Sequence, residues 1–122
     1  MKYPTTLYLV GVALVAGLFS SPTFALNALF VGRGPLAHLT KSDVTIARTE
    51  IAKALDTGKD GQTYTWSNPE TKASGTIKPT KTFTKNGMRC RATEFATSAG
   101  GERGSSTWNM CHTKEGWKID AP

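Results

Sequence analysis

Histidine and cysteine are scarce in this chain, two of each, and that scarcity excludes most metal and nucleophile chemistry. Cys90 and Cys111 do not form a CxxC pair, and no His/Glu set has metal-ligand spacing. No nucleophile elbow and no glycine-rich phosphate loop is present. Glu94 and Glu102 are poor acid/base partners, because Glu102 sits among glycines that fix no geometry. A non-catalytic protein is expected, with no cofactor and no metal.

A long hydrophobic run is also missing. The unbroken apolar stretch from Leu7 to Phe19 has about 13 residues, whereas a bilayer core of ~30 Å requires roughly 20. It comes after Lys2 and precedes Ser20-Ser21-Pro22, with the small residues Thr23 and Ala25 placed as a signal peptidase requires. Residues 1–25 therefore read as a signal peptide cleaved near Ala25, giving a mature start near Leu26 and no stable membrane span. No cysteine stands at the cleavage region directly after the run, so lipid attachment is not expected. The expected location is the periplasm, the medium or the cell surface.

The mature chain makes one small domain with a marginal core. Both cysteines lie in the exported part, where an oxidising compartment favours pairing them. A Cys90–Cys111 bridge closing about 20 residues stabilises a fold by roughly 3 kcal/mol in the chain-entropy model.

Acidic residues are the next shortage. Lysine and arginine number 15 against 9 acids, a formal charge of +6. From Thr71 to Ala92 there is no acid at all, while Lys72, Lys78, Lys81, Lys85, Arg89 and Arg91 are present. Such a stretch is either a solvated face or a surface that attracts polyanions. Outside the cytoplasm these are lipopolysaccharide phosphates, anionic lipids and cell-wall carboxylates rather than nucleic acid. Lys78, Lys81, Lys85 and Arg89 are the candidate contacts. Arg91, beside a cysteine, is open to a second role as a structural ion-pair partner of Glu94 or Glu115.

Residues 26–40 read as an extended lead-in, with Phe30, Leu36 and Leu39 docking on the domain, which spans residues 41–122. Thr40 and Asp43 form a capping-box variant. Val44, Ala47, Ile51, Ala54 and Leu55 then recur at helical spacing, predicting a helix over 42–55 that ends at a left-handed Gly58. The rest reads as strands. Residues 62–67 and 73–78 flank an Asn68-Pro69 turn, with Pro79 stopping the second. Asn86-Gly87 joins 80–85 to 88–97 as a hairpin. Residues 98–104 read as a mobile glycine loop, with further strands at 105–112 and 117–119. The expected class is α+β: one N-terminal helix packed on an antiparallel sheet of about five strands, with one disulfide.

The ordered set Asp43, Trp66-Ser67-Asn68-Pro69, Ala73-Ser74-Gly75, Cys90-Arg91, Cys111 and Gly116-Trp117-Lys118 resembles the C-terminal domain of bacterial surface antigens. These are proteins related to the rickettsial seventeen-kilodalton common surface antigen. The resemblance covers about Phe30 to Ile119 and implies an exported cell-envelope domain without established catalysis. The prototype's lipid-modified cysteine and glycine-rich segment have no counterpart in this sequence, so its anchoring does not carry over.

Two functions remain. The first is an envelope module that binds an anionic envelope component (lipopolysaccharide or cell wall) or a partner protein. The second is a small periplasmic inhibitor of a cell-wall-degrading enzyme, in the manner of lysozyme inhibitors, inserting residues 98–104 into a cleft. Against the second, lysozyme is basic and so is this chain. Trp66, Trp108 and Trp117 read as core or as an aromatic platform for sugar rings. The sequence leaves the oligomeric state open.

Overall fold

A computed structural model describes residues 34–121 of the chain. The signal peptide, its cleavage near Ala25 and the docking of Phe30 lie outside the described residues. Among the described residues no helix is long and apolar enough to cross a membrane.

The first described element is a short 3-10 helix, Gly34–His38, so this part of the expected lead-in is not extended. Its Pro35 is buried and Leu39 packs on the core. Helix α1 comes next, over Lys41–Thr57. Its capping box is present: the Asp43 N–H donates to Thr40 Oγ1 at 3.1 Å, and the Thr40 N–H to Asp43 Oδ2 at 2.9 Å. The expected apolar stripe faces inward, with Ala47, Ile51, Ala54 and Leu55 buried, and Asp43 joins it. The helix does not end in a left-handed residue. Gly58 is extended, at φ −69° and ψ 154°. Glycine is needed there for space, since a Cβ would collide with the Ala54 carbonyl oxygen and the Tyr64 ring.

Among the described residues five antiparallel strands form one sheet in sequence order: β1 Tyr64–Ser67, β2 Ser74–Lys85, β3 Met88–Ala99, β4 Glu102–Thr113 and β5 Gly116–Ile119. Pro79 does not stop β2. The register puts its nitrogen on the side away from β3, where no ladder donor is required. Its carbonyl accepts from the Gly61 N–H at 2.7 Å, and a bulge between Pro79 and Lys81 absorbs the irregularity. The β2–β3 turn is the expected one, with Asn86 and Gly87 at φ 52° and 75°, the two positive angles of a type I′ hairpin. Residues 98–104 are not a glycine loop. β3 runs to Ala99, Gly100 and Gly101 make a two-residue turn, and β4 begins at Glu102.

The core lies between α1 and one sheet face, where Ala47, Ile51, Leu55, Trp66, Ile77, Phe95, Met110 and Trp117 are buried together. Burial of a leucine or phenylalanine side chain contributes about 1.5–3 kcal/mol. Cys90 and Cys111 stand directly opposite each other on β3 and β4 and are disulfide-bonded. Strand alternation puts that bond on the face turned away from α1.

Candidate functional site

The same alternation divides the cations chosen from the sequence between two faces. Arg89 and Arg91 share the helix-facing side of β3, whereas Lys78, Lys81 and Lys85 all lie on the outer side of β2, because the bulge restores the phase after Pro79.

On the inner side the arginines close the C-terminal end of α1, where helix carbonyls lack intrahelical donors and the last turn carries no basic residue of its own. Arg91 is 1% exposed. Its Nη1 donates to the carbonyls of Ala54 and Leu55 at 3.1 and 3.0 Å, and its Nη2 to Asp60 Oδ1 at 2.7 Å. The partner is therefore Asp60, not Glu94 or Glu115. Hydrogen bonds from Arg91 and then Thr82 hold the Asp60 carboxyl below the usual aspartate range. Arg89 Nη1 donates to the Leu55 and Asp56 carbonyls at 3.3 and 3.1 Å, and its guanidinium lies 5.7 Å from the Trp117 ring centre. Trp117 in turn donates from Nε1 to Asp56 Oδ1 at 2.7 Å.

The N-terminal end of α1 is held in a matching way. Asp43 Oδ1 accepts from Asn68 Nδ2 at 2.8 Å and from Thr71 Oγ1 at 2.6 Å. Burial alone would raise the Asp43 pKa, but bonds from Thr71, Thr40 and Asn68 together bring it below its ordinary value. Asp43, Trp66, Asn68, Arg91, Cys111 and Trp117, all among the residues that carry the family resemblance, thus build the frame.

The outer side is open. Lys81 and Lys85 are exposed and Lys78 is half-buried. Lys85 pairs with Asp120 at 2.7 Å and Lys118 with Glu115 at 2.6 Å, while Lys78 and Lys81 enter no ion pair among the described residues. Beside the lysines a shallow trough is lined by Thr65, Ser67, Thr76, Ser98, Ser105 and Arg103. Its hydroxyls arise from strand positions that alternate with the core. Trp66 and Trp117 are buried, so two of the three tryptophans are packing; Trp108 is 37% exposed. His38 faces Glu102 at 3.6 Å. Among the described residues no cluster of three or more His, Cys, Asp or Glu side chains could hold a metal ion.

Asp60 and Asn68 are absent from the ion-pair and contact residues chosen from the sequence. The available signal is the helix end itself: a C-terminal turn without a cation, with Asp60 close behind it, needs donors from elsewhere in the fold.

Residues 53–118 match the family model described as 17 kDa outer membrane surface antigen. The chain is 30% identical over 81 residues to the 17 kDa surface antigen of Rickettsia amblyommatis, covering 66% of this chain and 53% of that protein. It is 27% identical over 85 residues to the one of Rickettsia japonica, covering 68% and 54%. The chain spans about half the length of the curated relatives it matches. No solved structure matches it.

Proposed function

From the premise that this chain belongs to the 17 kDa outer membrane surface antigen family, we propose that it is a non-catalytic exported module that binds an anionic component of the cell envelope through the outer face of its sheet. One observation carries the reading: Lys78, Lys81 and Lys85 share the outer face of a single strand. The fold makes no use of Lys78 or Lys81 in ion pairs among the described residues. Such charges raise the local concentration of a polyanion, and the adjoining hydroxyl trough suits the sugar portion of an envelope glycan. Arg89 lies outside this patch, turned to the helix end. The inhibitor alternative is weaker, because residues 98–104 form a hairpin tip and offer no long loop to insert.

Retention on purified cell-wall sacculi and on lipopolysaccharide micelles tests the proposal. The Lys78→Glu, Lys81→Glu, Lys85→Glu variant is expected to lose retention while keeping its disulfide and circular dichroism. Unchanged retention by this variant overturns the reading.

A further inference from the structure

Among the described residues, apart from the outer sides of the short terminal strands β1 and β5, two longer strands, β2 and β4, each have a stretch of open edge, and the sequence treats these two in opposite ways. β1 pairs only with residues Ser74–Ile77 of β2, so β2 from Lys78 onward is an edge. That edge carries Pro79, a bulge, Lys78, Lys81 and Lys85. Proline, bulges and lysines are the devices by which edge strands avoid pairing with other chains.

β4 has none of them over the corresponding stretch. β5 pairs only with Met110–Thr113, and the Asp120 N–H extends the cover to the Asn109 carbonyl. Residues Glu102 to Trp108 pair with β3 on one side, and among the described residues no strand pairs with the other side. All seven are exposed. They include no proline and no lysine, and their register against β3 is unbroken.

The ladder sets the direction of the free groups. Cys90 and Cys111 are 4.0 Å apart at Cα, the short spacing of a non-hydrogen-bonded pair. Odd-numbered residues of β4 therefore point their N–H and C=O away from β3, as the Asn109 carbonyl does. Arg103, Ser105 and Thr107 present three outward donors and three outward acceptors.

We propose that this edge pairs with the same edge of a second copy, antiparallel about a twofold axis near Ser105, joining two five-stranded sheets into one. An open antiparallel edge is self-complementary in its backbone. The charges choose the direction: Glu102 and Arg103 are the charged residues of this stretch. Antiparallel pairing about that axis sets each against an uncharged residue, whereas parallel pairing in register sets like against like. The lysine-bearing edge of β2 lies on the far side of β3 from the contact, so it opposes association only through a screened field. A strand pair of this length buries less than the ~1,200–2,000 Å² of a standard interface. The dimer is accordingly weak and concentration-dependent.

Sedimentation of the purified protein between about 10 μM and about 1 mM, the range of weak complexes, reads the association directly. The expected result is a shift from monomer to twice the monomer mass. Ser105→Pro removes an outward donor at no cost to the β3 ladder, and Ser105→Lys puts two cations beside the axis; both are expected to stay monomeric. Should the proline variant misfold, the lysine variant decides. Amide hydrogen exchange adds a register-specific readout, since Arg103, Ser105 and Thr107 should gain protection as concentration rises. A monomer across the whole range overturns the proposal, as does a dimer unaffected by Ser105→Lys. Protection of those amides at all concentrations in a monomer also overturns it, because another segment then covers the edge.

Discussion

Arg91 Nη2 donates to Asp60 Oδ1 at 2.7 Å while the same guanidinium binds two carbonyls of the last helical turn. The strand thereby supplies the positive charge that the negative end of the helix dipole requires. Asp60 is 42% exposed and is solvated once Arg91 is gone, so what is lost is the buried guanidinium's charge-assisted bonding to the helix carbonyls, about 1.5–3 kcal/mol. Arg91→Ala is expected to destabilise by that amount in a urea unfolding curve. A loss below about 1 kcal/mol would show that the helix end holds without it.

Asp43 and Asp60 both titrate below the ordinary aspartate range in the folded protein. Their unfolded value is about 3.9, so the folded state binds fewer protons near that pH. Their contribution to stability is present above pH ~4 and lost as pH falls through the folded values. Melting temperature is expected to drop steeply below pH ~4, and less steeply in Asp43→Asn. At neutral pH Asp43→Ala is expected to cost about 2–3 kcal/mol, from a lost cap and the unsatisfied Asn68 and Thr71 donors.

Replacing Cys90 and Cys111 by alanine should cost roughly 3 kcal/mol in the chain-entropy model. For a domain of this size that is a fall of roughly 12–24 °C in melting temperature. Free-thiol titration of the denatured, unreduced wild type should find none, and two titratable thiols would contradict the bridge.

Gly75 lies under the Trp66 indole, where a Cβ would collide with Nε1 and with the Ala96 carbonyl oxygen. Gly75→Ala is expected to displace Trp66 and cost about 1–3 kcal/mol as overpacking. Its tryptophan fluorescence should shift to the red, and an unshifted spectrum with full stability would refute the packing role.

Local chemistry made much of this fold readable. The Thr40/Asp43 cap, the stripe from Ala47 to Leu55 and the Asn86-Gly87 turn each fix their geometry within a few residues, and the structure has all three. Two of the misreadings share one cause. Pro79 and the glycines of 98–104 are strand breakers in isolation, but Pro79 is tolerated because its nitrogen faces an edge, and Gly100-Gly101 because a two-residue turn uses positive φ. Which edge a residue faces is a property of pairing, invisible in a local window. The candidate site was half legible for the same reason. Period-two alternation puts Arg89 and Arg91 on one face, but only the helix packing shows that this face is the inner one.

The claim that the outer face of β2, rather than net charge, binds an anionic envelope component meets its most direct test in one paired measurement. Retention on sacculi is compared for Lys78→Glu, Lys81→Glu, Lys85→Glu and for Lys41→Glu, Lys53→Glu, Lys59→Glu, which makes the same change in charge at exposed positions on and just after the helix. The account predicts that the first variant loses retention and the second keeps most of it, with wild-type retention weakening as salt rises toward ~0.5 M. Equal loss in both variants, or wild-type retention indifferent to salt, would contradict it.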